Sequence, residues 1–231
     1  MADREDDVAN VFEGDAILFD MDGVLVDSTT GVVRIWREWA EKHGLDVDRV
    51  LEVSHGRRVA ETISLVAPEL DAASEAREYQ RIEVEGLDGV LEIEGARELL
   101  TSLPPDGWTV VTSGTRFIAE KKLEHVGLPV PNRIVTAEDV EKGKPDPEAY
   151  LKGAEALGVR PEACLVVEDA PSGIRSAKAA GMRVIAVATT HHPEDLTGAD
   201  AVAGSLTRIR VTPRSKPGDA NGPRFEVRAQ D

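Results

Sequence analysis

The chain is poor in the residues that announce many functional classes. A single cysteine, Cys164, stands in 231 residues, which excludes an internal disulfide framework and agrees with a reducing cytoplasm. It lies in an apolar run and reads as a core side chain rather than a nucleophile. Aromatic residues make up only 4%, so a core has to come mainly from Val, Ile, Leu and Ala. Basic residues are outnumbered, 27 Lys and Arg against 43 Asp and Glu, and the net charge of −16 counts against nucleic acid or an anionic membrane as the main partner. No uncharged apolar run approaches the roughly 20 residues that span a bilayer. The acidic opening MADREDDVANVFEGD has no basic patch followed by an apolar segment, so no signal peptide is expected and the expected location is cytoplasmic.

What is present is organised around Ala16 to Ser28, AILFDMDGVLVDS. Ala16-Ile17-Leu18-Phe19 has the composition of a buried strand and ends in Asp20-Met21-Asp22-Gly23. Residues two apart in an extended segment point the same way, so Asp20 and Asp22 can converge, and Gly23 permits a sharp exit. Two carboxylates so placed can hold a hard cation or divide labour as nucleophile and acid/base. Taken alone, the same tetrapeptide is equally an ordinary polar turn.

The rest of the chain alternates. Ser28-Thr29-Thr30 offers helix caps, and Val32, Ile35, Trp36, Trp39 and Ala40 recur at helical spacing up to Gly44. Helical patterns follow at about 58–66 and 74–87, with no convincing strand between Thr29 and Asp88. Beyond Leu91, helices are expected at 96–102, 116–126, 148–157 and 172–180, and strands at 108–112, 133–135, 163–167 and 183–188, with a marginal strand at Ala201-Val202. Strands alternating with helices predict an α/β fold, a doubly wound parallel sheet covered on both faces. The expected organisation is a core over 15–28 and 91–210, a small helical domain over 29–90 inserted as a lid, and loose termini at 1–14 and 211–231.

In such a sheet, ligands gather at the carboxyl ends of the strands. The first strand delivers Asp20 and Asp22. Another delivers Thr112-Ser113-Gly114-Thr115 ahead of a helix, which suits a phosphate or is simply a cap. A third delivers Glu168-Asp169, as metal ligands or as caps. Between them lies Lys142-Gly143-Lys144-Pro145-Asp146-Pro147, where Pro145 pushes Lys144 toward an extended backbone. Together these ends describe a site for phosphoryl transfer. Mg²⁺ would be held by Asp20, Asp169 and an oxygen of Asp22, Lys144 and Ser113 would neutralise phosphate, and one aspartate would attack while its neighbour protonates the leaving alcohol.

The sequence resembles the haloacid dehalogenase-like hydrolase superfamily, in the branch with a helical cap after the first strand. The resemblance rests on DMDGVLVDS at Asp20, VTSGT around Ser113, KGKPDP around Lys144 and VVEDAPSGI around Asp169, and covers roughly residues 15 to 205. It implies that Asp20 becomes an aspartyl-phosphate, that Asp22 is general acid and then base, that Asp169 holds Mg²⁺ and that Glu168 supports the metal shell. Dehalogenases of the superfamily lack an acid at the position of Asp22, so phosphate chemistry is implied. His55-Gly56-Arg57-Arg58, TSGT and TAEDVEKGKPDPEAY look most similar to small sugar and polyol phosphatases, which would have Arg57 and Arg58 read the substrate from the lid. Neither His43 nor His55 is assigned a role. The implied partner is a small phosphorylated metabolite, and the expected state is a monomer or weak homodimer. The alternative activity is a β-phosphoglucomutase-like isomerisation, which uses the same fold and motifs.

Overall fold

In the computed structural model, which describes residues 10–214 and 224–229, each predicted strand of the central sheet is present. In chain order the strands are β1 (Asn10–Gly14), β2 (Ala16–Phe19), β3 (Val26–Asp27), β4 (Leu91–Glu92), β5 (Trp108–Val111), β6 (Ile134–Val135), β7 (Cys164–Glu168), β8 (Arg183–Val187), β9 (Ala201–Ala203), β10 (Ile209–Pro213) and β11 (Phe225–Ala229). The helices are α1 (Thr29–His43), α2 (Val47–Ser54), α3 (Val59–Val66), α4 (Ala72–Glu85), α5 (Ala96–Thr101), α6 (Arg116–Val126), α7 (Glu148–Leu157) and α8 (Pro171–Ala179).

Six strands form one parallel sheet in the order β6-β5-β2-β7-β8-β9. All four residues of β2 are buried, and they alternate between two cores. Ile17 and Phe19 join one apolar cluster, Ala16 and Leu18 the other. β7 divides in the same way, with Leu165 and Val167 on one side and Cys164 and Val166 on the other. This period of two explains why both strands read as continuous apolar runs. It also puts β2 in mid-sheet, with Asp20 at the tip of a strand flanked on both sides.

Helices α1 to α4 surround a third apolar cluster containing Ile35, Trp36, Trp39, Val50, Ile63 and Tyr79. Trp36 packs edge-on against Trp39 at 5.5 Å and tilted against Tyr79 at 4.7 Å. The two chain crossings between this helical layer and the sheet run side by side, because β3 pairs antiparallel with β4. α2 was not expected from the sequence. Its eight residues carry the short apolar pattern Val47, Val50, Leu51, and Asp46 caps it by accepting from the Arg49 N–H at 3.1 Å.

The expectation of loose termini fails where the chain is described. β1, β11 and β10 form a three-stranded antiparallel sheet in that order. Phe225, Val227 and Ala229 point alternately into the same cluster as Ile17 and Phe19, together with Phe12 and Ile209. The composition of 212–224, rich in Pro, Gly and charge, concealed a five-residue strand just beyond it. Pro213 is accommodated because β10 is an edge strand. The parts of the predicted loose termini at 1–9, 215–223 and 230–231 lie outside the described residues. Among the described residues, no helix is long and apolar enough to cross a membrane.

Candidate active site

The loops leaving β2, β5 and β7, with the 142–147 segment, meet beneath the helical layer. Asp20 follows directly on Phe19 and is buried. The chain then turns at Gly23, whose φ is +84° and where a Cβ would stand 2.1 Å from Asp169 Oδ2. Only glycine meets both demands, so Gly23 allows the β2 and β7 loops to approach this closely.

Lys144 is 1% exposed, and its Nζ donates to Asp20 Oδ1 at 2.7 Å, to Glu168 Oε1 at 2.8 Å and to the Val111 carbonyl at 3.2 Å. Burial alone would depress this lysine, but the carboxylates of Asp20 and Glu168 override it and hold the ammonium charged, above the usual lysine range. Lys144 therefore stands behind Asp20 and neutralises the carboxylates.

Glu168 is held on both oxygens. Lys144 and the Tyr150 hydroxyl, at 2.9 Å, donate to Oε1, and the N–H groups of Asp169 and Ala170 donate to Oε2 at 2.9 and 3.0 Å. These four donors fill the acceptor capacity of a carboxylate. Glu168 thus anchors Lys144 and the β7 loop, beside the acids with which it was expected to support a metal shell. Gly173 makes room for it, since a Cβ there would fall 1.5 Å from Glu168 Oε1.

Asp169 is different. Thr190 Oγ1 donates to its Oδ2, and His55 Nε2 lies 3.8 Å from the same oxygen, but Oδ1 is buried with no hydrogen-bond partner among the described residues. Oxygens of Asp20, Glu168 and Asp169 lie within 4.8 Å of one another. Burial, followed by the neighbouring Glu168 and Asp169 and opposed by Lys144, pushes the Asp20 carboxyl well up. An orphaned oxygen among crowded buried acids is the donor set that a hard divalent cation such as Mg²⁺ satisfies, with Asp20 and Asp169 at its centre and Glu168 beside them. His55 is raised, first by the neighbouring Asp169 carboxylate, and packs edge-on against His191 at 4.8 Å.

Asp22 is held separately from Asp20. Ser28 Oγ donates to its Oδ1, and Lys122 Nζ donates to the same oxygen at 2.7 Å. A cavity of about 110 Å³ is walled by Asp20, Asp22, Thr112, Ser113, Gly114 and Asp169 from the sheet side and by Trp36, His55 and Arg57 from the helical side. Ser113 Oγ donates across it to the Gly56 carbonyl at 2.9 Å, and Thr112 Oγ1 accepts the Gly114 N–H at 3.1 Å.

The two neighbouring arginines part company. Arg57 lines the cavity, whereas Arg58 turns away, pairing with Glu61 and donating to the carbonyls of Val140 at 3.1 Å and Glu141 at 2.7 Å. Arg58 was expected to read substrate; its guanidinium is committed to a protein loop. His43 also stands apart, beside Glu75 and the Trp39 ring. Sequence reasoning missed Lys122, Glu83, Tyr150, Thr190 and His191. Of these only Lys122 left a signal, a charged residue on the apolar helix face that runs through Ile118 and Val126.

The comparisons with known proteins agree with this geometry. Residues 17–187 match the family model for haloacid dehalogenase-like hydrolases. The chain is 42% identical over 200 residues to hexitol phosphatase A of Escherichia coli K12, covering 84% of this chain and 93% of that protein. It is 37% identical over 210 residues to glycerol-1-phosphate phosphohydrolase 2 of Saccharomyces cerevisiae, covering 85% and 84%. Among solved structures, the β-phosphoglucomutase of Clostridium difficile superposes with a TM-score of 0.76 at 25% identity, covering 85% of this chain and 93% of that one. The central parallel sheet, three sequence motifs on one cavity with the Lys144 of the fourth bonded to Asp20, and the family match together identify the chain as a member of the haloacid dehalogenase-like hydrolase family.

Proposed function

We propose that the chain is a phosphatase of small phosphorylated sugars or polyols, working with Mg²⁺ through a phosphoryl group carried on Asp20. The observation that carries this reading is the pair of aspartates held differently over one cavity, Asp20 against Lys144 and Asp22 against Lys122 and Ser28. Two carboxyl groups in different electrostatic settings can serve as nucleophile and proton donor in the same step.

Mg²⁺, held by Asp20 and Asp169, would supply positive charge against the phosphate and the buried acids. Lys144 fixes the Asp20 carboxylate and shares in neutralising charge as the phosphoryl group transfers. Ser113, on the cavity wall, is placed to donate to a phosphate oxygen once it leaves the Gly56 carbonyl. Asp22 gives a proton to the leaving alcohol and then takes one from the water that releases phosphate from Asp20. Arg57 and the small volume under the helical layer favour a short, hydroxylated alcohol over a polymer. The names of the relatives, hexitol phosphatase and glycerol-1-phosphate phosphohydrolase, support the same class.

A phosphate-release screen over hexitol, glycerol and hexose phosphates, with and without a chelator, tests the reading. Release that requires Mg²⁺ and favours one of these small esters is expected. Conversion of β-glucose 1-phosphate to an isomer without free phosphate would instead establish the mutase activity.

A further inference from the structure

Lys122 is a buried cation for which the chemistry above names a single contact, that with Asp22. It occupies the apolar face of α6 and is only 2% exposed, a position where an ammonium is costly unless paired. Two carboxylates pair it, and they come from different layers. Asp22 Oδ1 lies at 2.7 Å in the loop after β2, and Glu83 Oε1 lies at 2.7 Å on α4 of the lid. Glu83 is not free to reach Lys122 by itself. One turn earlier on α4, Tyr79 is buried against Trp36 in the lid's own core, and Gln80 Nε2 donates to Thr115 Oγ1 of the sheet side at 2.6 Å. Glu83 therefore meets Lys122 only when α4 is docked.

We infer that the Glu83–Lys122 pair is the device by which lid closure aims Asp22 at the leaving group. Glu83 holds Lys122 from the far side, and Lys122 with Ser28 holds Asp22 Oδ1. The carboxyl plane is then fixed, and Oδ2 carries the proton. As the bond from the Asp20 carboxylate oxygen to phosphorus forms, the phosphorus–ester oxygen bond breaks. Its electron pair stays on the ester oxygen, and the Asp22 proton passes there to give the alcohol. When α4 lifts, Lys122 keeps one partner instead of two and Asp22 loses its fixed orientation. Proton delivery is thereby tied to the closed, water-excluding state. Lys122 and Glu83 are positioning residues in this account, and the inference rests on the reading of Asp22 as the acid.

The test compares kcat/KM, with Mg²⁺ and the full chain, for two esters. One is the best alkyl phosphate of the substrate screen, whose alkoxide leaves only with a proton. The other is p-nitrophenyl phosphate, whose phenolate leaves without one. Glu83→Ala and Lys122→Met should each lose about tenfold more on the alkyl ester than on the aryl ester. Glu83→Gln, which keeps an acceptor, should recover part of the loss. The double variant Glu83→Ala/Lys122→Met should be no worse than Lys122→Met alone, because the two act through one contact. Equal losses on both esters, no loss, or additive losses in the double variant would overturn the inference. Should Lys122→Met fail to fold by circular dichroism, the two Glu83 variants decide the matter. Asp22→Asn separates the two levels. If it shows no preference between the esters, the reading of Asp22 is wrong; if it does while Glu83→Ala does not, only the positioning role falls.

Discussion

At the scale of single residues, the site is a charge balance drawn tightly around one ammonium. Lys144 faces Asp20 and Glu168, and removing it would leave buried carboxylates unpaired. Lys144→Met is expected to lower kcat by at least about 100-fold. It should also cost about 3 kcal/mol in a urea unfolding experiment. Added Mg²⁺ should restore part of that stability, because a cation binding only the folded state compensates the same acids. Cys164 gives the opposite kind of residue, one without a role in the chemistry. It is fully buried in β7, and burial pushes its thiol up to about 12. With the folded value above that of the unfolded chain, its contribution to stability is complete below about pH 8.5 and declines as pH rises toward the folded value. Thiol reagents at pH 8 should leave the folded protein unmodified and label one thiol per chain only in denaturant.

At the scale of elements, the contact between the helical layer and the sheet includes, beside the Gln80–Thr115 and Glu83–Lys122 pairs, side chains that grip backbone. Arg58 donates to the carbonyls of Val140 and Glu141, Glu61 accepts the Gly143 N–H at 2.9 Å, and Ser113 reaches Gly56. Arg58→Ala should loosen this latch. The expected signature is faster amide exchange across α3 with KM raised severalfold and kcat changed less. A variant with unchanged exchange and KM would show that the latch contributes nothing. The elements themselves were unevenly legible. α1 and α7 could be placed because apolar spacing and a left-handed glycine, Gly44 or Gly158, mark their ends. α2 was hidden by its length, and the orientation of Arg58 by its neighbour, since periodicity does not tell which of two adjacent arginines faces a cavity. The four motifs of the candidate site were legible because each combines a strand end or a nearby turn with residue types that polar turns do not need together. What joins them, Lys122 to Glu83 and Glu168 to Tyr150, depends on contacts across 39 and 18 positions of sequence, which only the fold supplies.

At the scale of the whole molecule, residues 10–14 and 225–229 meet in a sheet that shares the core beneath Asp20. β11 is the middle strand there, and Phe225 and Val227 are each 1% exposed. A chain ending at Arg214 would lose that strand, leave β1 and β10 without a partner and expose the apolar cluster they cover. Loss of those two side chains alone predicts about 4 kcal/mol of destabilisation. A truncated chain with unchanged thermal unfolding would show that the sheet is dispensable. All of this architecture serves one arrangement at the tip of β2, where Asp20 stands against Lys144 beside a cavity lined on its other side by the helical layer. The most direct test is to quench the full chain, with Mg²⁺, during turnover of a labelled sugar or polyol phosphate and to map the label. The account predicts a phosphoryl group on the peptide carrying Asp20, absent from Asp20→Asn, which should have no turnover. Label on a different residue, or an Asp20→Asn protein that still releases phosphate at the full rate, would contradict it.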